Sequence, residues 1–154
     1  MPARKLKEFL DSHHVKYVTI THSRAYTSQE VAASAHIRGK DFAKTVMVKL
    51  DGKMAMAVLP ATRRVDLDAL KQAAGAQRAE LATEQEFQYL FPECETGAMP
   101  PFGNLYGMEV YTDASLAEDE EIAFNAGSHI EVIRMAYKDF ERLVQPKVAH
   151  IARV

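Results

Sequence analysis

One lysine occupies an unusual position for a charged residue. Lys44 begins a strand-like run and has the same strand parity as three aliphatic residues, Val46, Val48 and Leu50. An ammonium group is costly to bury without a partner, and a lysine at the edge of an apolar pocket is suited to bind an anionic or carbonyl oxygen. Lys44 is therefore a candidate catalytic residue; the alternative is a frayed strand end that turns the amine into water.

A loop rich in glycine and proline is the second candidate for chemistry. Glycine lets backbone N–H groups approach a ligand closely, and two adjacent prolines stiffen the chain, so this loop could hold a carbonyl or carboxylate. The alternative is an ordinary surface turn between a helix and a strand. The candidate substrate-binding residues are Gly97, Ala98, Met99, Pro100, Pro101 and Gly103.

The third candidate is a turn between two strand-like runs. Small and polar residues at the end of a sheet can line a pocket, which makes Gly127, Ser128 and His129 candidate substrate-binding residues. His129 could act as a base. However, the chain has six histidines and no Gly-x-Ser-x-Gly nucleophile motif nearby, so a turn or surface role is the alternative.

The number and placement of charged residues indicate whether the chain binds nucleic acid. The chain has 154 residues with 19 Lys+Arg and 21 Asp+Glu, a formal net charge of −2, so the whole molecule lacks the basic character of many nucleic-acid-binding domains. Basic residues nevertheless concentrate in one stretch, where solvated surface is the alternative to binding. The candidate tRNA contacts in that stretch are Arg38, Lys40, Arg63 and Arg64.

Other sequence features argue against several classes of protein. Neither Cys-x-x-Cys nor His-Glu-x-x-His occurs, so no motif indicates a metal site. The single cysteine, Cys94, cannot form an internal disulfide, and no apolar run approaches about 18 residues. We therefore expect a cytoplasmic protein that has no membrane partner.

The elements that must position these residues follow from periodicity and capping. Asp51-Gly52 joins two apolar runs and suits a type I′ hairpin turn, while Thr27 with Glu30 and Thr83 with Glu86 form capping-box patterns. We predict helices near 6–10, over 28–36, 66–75 and 83–91, and over 137–143. We predict strands over 17–21, 44–50, 53–59, 108–112, 122–125 and 130–135, with a loop over 93–107. Adjacent strands alternating with helices indicate a mixed sheet with helical cover.

In this order, the three candidate segments resemble the family of YbaK-type proteins and the editing domain inserted in bacterial prolyl-tRNA synthetases. The hairpin beginning Phe42-Ala43-Lys44 looks like the lysine-bearing strand of the family. Gly97 to Pro101 matches its GxxxP loop, and Phe124 to Ser128 is similar to its small-residue turn. The resemblance spans nearly the whole chain. It implies one editing domain over 1–154, an α/β (α+β) fold with a mixed, mostly antiparallel sheet of barrel-like curvature, covered by helices.

The resemblance also implies an activity: hydrolysis of the ester between an amino acid and the terminal ribose of a mischarged aminoacyl-tRNA. The enzyme would use no metal or cofactor. Lys44 would hold the terminal phosphate or the ester oxygen, and the Gly97 to Pro101 loop would orient the acyl carbonyl. The neighbouring ribose hydroxyl, or the thiol of a cysteinyl substrate, would assist the reaction.

The implied substrates are tRNAs, such as proline tRNA, that carry alanine, serine or cysteine, and the implied partners are aminoacyl-tRNA and an aminoacyl-tRNA synthetase. The protein would be a monomer or homodimer. Because two prolines follow Met99, we expect its side chain to be fixed as the wall of a small pocket. The alternative function is a non-catalytic module of the same fold that binds an amino acid, a nucleotide or a protein.

Overall fold

The elements of the fold are taken from a computed structural model that describes residues 3–25 and 27–154, with only the backbone of Ser28. The helices are α1 (Arg4–Ser12), α2 (Ser28–Ser34), α3 (Leu67–Ala74), α4 (Glu84–Phe87) and α5 (Tyr137–Val144). The strands are β1 (Tyr17–Thr21), β2 (Ala43–Leu50), β3 (Lys53–Pro60), β4 (Arg64–Val65), β5 (Ala79–Leu81), β6 (Glu109–Asp113), β7 (Glu121–Asn125), β8 (Glu131–Ala136), β9 (Lys147–Ala149) and β10 (Ala152–Arg153).

The described strands form three sheets, with strand orders β1-β8-β7, β5-β2-β3-β6-β9 and β10-β4. Only the β3–β6 and β6–β9 pairs are parallel; the other ladders are antiparallel. The predicted fold class, a mixed and mostly antiparallel α+β structure, is therefore confirmed. The described strands do not form one closed barrel.

The β2–β3 hairpin is the longest ladder of the fold. Its turn has positive φ at both central residues, 51° at Asp51 and 83° at Gly52, which is the requirement of the predicted type I′ turn. Lys44 lies opposite Leu59 in this ladder. The turn therefore sets the register that places Lys44 at the far end of the hairpin.

Local capping signals locate the helix starts correctly. Thr27 and Thr83 each accept a hydrogen bond from the backbone N–H three residues on, and each forms a complete capping box. Asp66 accepts from the Ala69 N–H at the start of α3, which ends at Gly75 with φ of 66°. α2 ends at Ser34, before the predicted His36, whose φ of 59° is left-handed.

Side chains alternate between the two faces of the β2–β3 hairpin. One face joins the largest buried cluster, which contains Met47 and Met56 and is covered by α1 and α5. The opposite face contacts one cluster beneath α2 and another beneath α3. Phe42, which precedes β2 and has the same strand parity as Lys44, belongs to the cluster beneath α2, whereas Ala43 belongs to the main cluster.

Some elements depart from the sequence-based prediction. The predicted loop over 93–107 contains a short 3-10 helix, Gly103–Tyr106. The four strands β4, β5, β9 and β10 have only two or three residues each, too few to show the alternation on which strand prediction depends. Within residues 3–25 and 27–154, no helix is long and apolar enough to cross a membrane.

Candidate active site

The first two sheets meet at one isolated parallel bridge between Phe42 and Ala123. Lys44 and Asn125 lie two residues further along their strands, so they share the parity of the bridged pair. No described pairing continues from the bridge to these two residues; at this point β2 pairs with β3 and β7 pairs with β8. The two strands therefore part just beyond the bridge, with Lys44 on one side and Asn125 on the other.

Lys44 lies half-buried in a cavity of about 300 Å³ between β2 and the start of α2. The described lining residues are Thr27, Gln29, Lys44 and Ala61. Burial lowers the pKa of the Lys44 ammonium, and the nearby charge of Arg64 lowers it further. No acidic side chain in the described part of the chain forms an ion pair with Lys44. Its ammonium is consequently available to an anionic or carbonyl oxygen.

Asn125 ends β7 with a buried polar side chain that is only 7% exposed. Its Oδ1 atom has no hydrogen-bond partner among the described residues. An unsatisfied buried amide typically costs about 1–3 kcal/mol, so an Asn retained here needs an explanation. A hydrogen-bond donor on a bound substrate would supply the missing partner.

The glycine-proline loop docks onto the turn after β7 through the backbone. Glu95 N–H donates to the Gly127 carbonyl at 2.8 Å, and Gly127 N–H donates to the Ala98 carbonyl at 2.9 Å. His129 Nε2 lies 3.0 Å from the Thr96 carbonyl oxygen, and the His129 N–H donates to Glu95 Oε1 at 2.9 Å. These bonds bring together two of the three segments that sequence analysis selected.

The segment before α2 connects this loop and turn to the Lys44 cavity. Arg24 forms an ion pair with Glu95 at 2.8 Å, and the Ala25 N–H donates to the His129 carbonyl at 3.3 Å. Thr27, only two residues after Ala25, lines the Lys44 cavity. Because two residues span at most about 7 Å, the turn and the cavity are neighbours. No hydrogen bond among the described residues joins Lys44 directly to the loop.

Comparison with known proteins identifies the family. The model of the aminoacyl-tRNA editing domain matches residues 22–143, a range that contains Lys44, the loop and the turn. The chain belongs to the aminoacyl-tRNA editing domain family. It is therefore a hydrolase that acts on aminoacyl-tRNA.

Individual relatives agree with this assignment. The multifunctional Ser/Thr-tRNA deacylase ProXp-y of Escherichia coli (strain K12) is 29% identical over 97% of this chain and 92% of its own length. The proline–tRNA ligase of Bacillus mycoides (strain KBAB4) is 28% identical over 58% of this chain and 16% of the ligase. A crystal structure of a candidate trans-editing enzyme for prolyl-tRNA synthetase has the same fold, with a TM-score of 0.84 at 21% identity, covering 99% of this chain and 98% of the other.

Most of the loop of this editing domain is buried. Gly97 is exposed, with φ of 88°, whereas the run from Ala98 to Gly103 is buried. Pro100 and Pro101 lie inside this buried run. The part of the loop that can reach a ligand is therefore its start, near Gly97.

Two loop residues that were candidates for substrate binding make packing contacts inside the protein. Met99 is 4% exposed and belongs to the main core cluster, and its Sδ accepts the Gly97 N–H at 3.3 Å. Met99 therefore packs in the core, and its role as the wall of a small pocket stays a prediction. A Cβ at Gly103 would lie 2.6 Å from Val110 Cγ2 and 2.9 Å from the Met108 carbonyl oxygen, so this glycine permits close packing.

The turn residues face two different directions. Gly127, with φ of 96°, and buried His129 contact the loop. Ser128 instead lines a separate groove against α1, where Lys7 and Glu131 form a half-buried ion pair at 3.0 Å. The structure therefore brings His129 toward the loop and places Ser128 on the α1 side.

The four candidate tRNA contacts fall into two groups. Arg38 pairs with Asp41 at 2.9 Å, and Lys40 lies 3.4 Å from the same carboxylate, so both cations are partly neutralised. Arg63 and Arg64 are exposed and form no ion pair within the described residues. The two groups are adjacent, because a Cβ at Gly39 would lie 2.6 Å from the side chain of Thr62.

Sequence analysis missed three residues that shape this region, Arg24, Gln29 and Glu95, and included Asn125 only as part of the turn segment. The ion pair with Arg24 and the hydrogen bond from the His129 N–H hold the pKa of Glu95 below its usual range. Asn125 had a usable signal, since it is a polar residue that ends an apolar strand. Among the described residues, no group of three or more His, Cys, Asp or Glu side chains could hold a metal ion.

Proposed function

We propose that residues 1–154 act as one editing unit that removes small amino acids from mischarged tRNA, with serine and alanine as the first candidates. The relative named as a Ser/Thr-tRNA deacylase matches over 97% of this chain, which supports a small hydroxyl-bearing amino acid. Cysteine is the third candidate. Proline tRNA is the first candidate acceptor, because a proline–tRNA ligase is also related to the chain.

The observation that carries this proposal is the half-buried Lys44, which lacks an acidic partner among the described residues and faces a cavity beside the loop and turn. Water attacks the acyl carbonyl carbon, the bond to the ribose oxygen breaks, and that oxygen leaves with a proton. Negative charge develops on the acyl oxygen as the water attacks. A fixed ammonium in a partly dry site stabilises such charge more than bulk water does.

Asn125 and the start of the loop supply positioning in this proposal. The unpartnered Oδ1 of Asn125 accepts a hydrogen bond from the α-ammonium group or from a ribose hydroxyl. The exposed Thr96–Gly97 end of the loop borders the acyl group. Holding the ester and water in a reactive geometry provides much of the rate enhancement when no protein nucleophile takes part.

The cavity also bears on substrate size. The cavity of about 300 Å³ has room for a small acyl group together with part of the terminal ribose, but it is open to solvent, so its volume alone does not exclude a larger group. Discrimination between amino acids that differ by one methylene should remain weak, about 1–3 kcal/mol. Serine, alanine and cysteine esters should therefore all be cleaved; poorer cleavage of large aromatic esters is expected from the amino acids named for the related Ser/Thr-tRNA deacylase.

Deacylation of a panel of charged tRNAs tests the proposal. We expect seryl-, alanyl- and cysteinyl-tRNA to be hydrolysed faster than phenylalanyl-tRNA. Lys44→Met keeps the aliphatic stem but removes the charge, and should lower kcat/KM at least about tenfold, equivalent to about 1.4 kcal/mol. Lys53→Met, at the exposed tip of the same hairpin, is the matched control and should retain wild-type turnover.

Two results would refute the assignment. A folded Lys44→Met protein with wild-type turnover would exclude the proposed role of the ammonium group. Tight binding of aminoacyl-tRNA without hydrolysis of any member of the panel would indicate a non-catalytic binding module. Adding prolyl-tRNA synthetase to the assay, with sedimentation to separate monomer from homodimer, tests the proposed synthetase partner and the assembly state.

A further inference from the structure

A group of cations without acidic partners lies where β4 meets β10. The register of this antiparallel pair places Arg153 directly opposite Arg64. Arg63 precedes β4, and the charge of Arg64 reaches Lys44 strongly enough to lower its pKa. Within the described residues, none of these four side chains has an acidic group within 4 Å.

This arrangement is unfavourable unless an anion binds to it. Like charges directly opposite each other on paired strands destabilise a sheet. The acidic residue nearest in sequence, Asp66, is already engaged, because its Oδ1 accepts the Ala69 N–H at 3.0 Å as the cap of α3. The cations are therefore left for a ligand that comes from outside the chain.

The strand that carries Arg153 is held firmly in place. The buried carboxylate of Asp113 accepts the N–H groups of Ile151 at 2.9 Å and Ala152 at 3.0 Å. The Asp66 N–H donates to the Ile151 carbonyl at 2.7 Å. Three hydrogen bonds thus fix the backbone immediately before Arg153, so its position opposite Arg64 is specified by the fold.

The cation group adjoins the Lys44 cavity. Ala61 lines that cavity, and the chain continues through an exposed turn to Arg63 and Arg64. Because Arg63 and Arg64 are two and three residues from Ala61, they lie beside a ligand that leaves the cavity on this side. An RNA strand is such a ligand, with a terminal ribose followed by a series of phosphates, and arginine binds phosphate oxygens in a bidentate manner.

We propose that Arg153, supplied by the C-terminal strand β10, forms with Arg64 and Arg63 a site for backbone phosphates of RNA next to the Lys44 cavity. The identity of the RNA as the acceptor end of tRNA rests on the proposed function. The site explains why two arginines face each other without an acid between them. It also assigns a role to a residue outside the region that the family model matches.

Salt-dependent binding of uncharged tRNA tests this site. Arg153→Gln and Arg64→Gln should each weaken binding about threefold to tenfold at 50 mM salt. Each should also reduce the slope of log K against log salt by about 0.7 to 0.9, as expected for one lost phosphate contact. In deacylation, the loss should appear mainly as a higher KM for aminoacyl-tRNA. Arg78→Gln changes an exposed arginine beside the far end of the hairpin, at Asp51, and is the matched control.

Three outcomes would overturn the proposal. The first is that Arg153→Gln binds tRNA with the same affinity and salt slope as Arg78→Gln. The second is that a DNA duplex of mixed sequence binds as tightly as tRNA and depends equally on Arg153, which would indicate a general surface for polyanions. The third is that Arg153→Gln weakens tRNA binding but leaves the slope of log K against log salt unchanged. Failure of the proposed function is distinct: the wild-type protein would hydrolyse no charged tRNA, whereas Arg153-dependent tRNA binding would persist.

Discussion

The surroundings of Lys44 disfavour its positive charge, first through burial and second through the charge of Arg64. Both effects strengthen the attraction of Lys44 for an incoming anion or a developing oxyanion, because binding relieves them. The Lys44 charge is therefore unfavourable in the free protein and becomes more favourable when an anionic substrate group binds.

The effect of Arg64 should be visible in the titration of Lys44. Arg64→Gln removes one of the two causes that lower the pKa of Lys44, so the pKa should rise toward, but not reach, the usual lysine value. Lys44 would then stay cationic to higher pH than in the wild-type protein. An NMR titration of the Lys44 side-chain Cε resonance measures the change directly.

Arg63→Gln is the control for this titration, because Arg63 does not contribute to the lowered pKa of Lys44. Its Lys44 resonance should titrate as in the wild-type protein. An unchanged or lower Lys44 pKa in Arg64→Gln would show that the two charges do not interact across the site.

At the residue scale, strand parity drew attention to Lys44, because a period of two needs only neighbouring residues, and the family resemblance assigned its role. The same reasoning could not pair Lys44 with Asn125. Their proximity depends on the bridge between Phe42 and Ala123, which are far apart in sequence. Residues that meet through non-local pairing leave no local pattern.

At the scale of elements, the glycine-proline loop is a buried support with an exposed start. Met99 anchors it, since the side chain fills the main core and its Sδ accepts the Gly97 N–H. Sequence analysis recognised the stiffness of this loop and predicted that Met99 forms the pocket wall. Apolar side chains within a proline-rich run give no signal of which way they face.

Met99→Ala should therefore destabilise the protein. Removing a buried methionine side chain typically costs about 2–5 kcal/mol of unfolding free energy. It would also leave the Gly97 N–H without its acceptor, loosening the end of the loop that borders the site. We expect deacylation of all the charged tRNAs to fall together. Urea unfolding and the tRNA panel measure the two effects.

The control is Met54→Ala, a half-buried methionine near the hairpin turn, which should be less destabilising and leave deacylation unchanged. A Met99→Ala protein that keeps wild-type stability and gains activity on phenylalanyl-tRNA would instead support Met99 as the pocket wall.

Elements with local signals were predicted well, and the others were not. Capping boxes, the Asp-Gly turn and alternating apolar residues each lie within a few positions, so the main helices and strands were found. β4 and β10 have two residues each and exist because of long-range contacts. Asp113 holds β10 from a distant strand, which no window along the sequence reveals.

At the scale of the whole molecule, net charge is a poor guide to the partner. The chain carries a formal net charge of −2, yet Arg63, Arg64 and Arg153 lack acidic partners within the described residues. Arg38 and Lys40, which come from the same basic stretch of sequence as Arg63 and Arg64, are instead paired with carboxylates. Recognition of RNA depends on where charges remain uncompensated, and the fold determines this.

Asp113 joins the end of the chain to the central sheet and should control stability in acid. Burial alone would raise the pKa of its carboxyl group, but hydrogen bonds from Ser115, Ile151 and Ala152 outweigh burial and lower it. A carboxylate with a lowered folded pKa stabilises the protein above its unfolded pKa, about 3.9. That stabilisation disappears as the pH falls through the folded pKa.

Asp113→Asn should lower the unfolding free energy by about 1–3 kcal/mol at pH 7, because a neutral amide accepts the Ile151 and Ala152 N–H groups less well. The difference from wild type should shrink below about pH 4, where the wild-type carboxylate is itself being protonated. Urea unfolding at several pH values measures both quantities. Asp68→Asn, an exposed residue in the first turn of α3, should change stability by less than about 0.5 kcal/mol. A loss in Asp113→Asn that is equally large at pH 7 and pH 3 would mean that side-chain shape, and not charge, holds β10 in place.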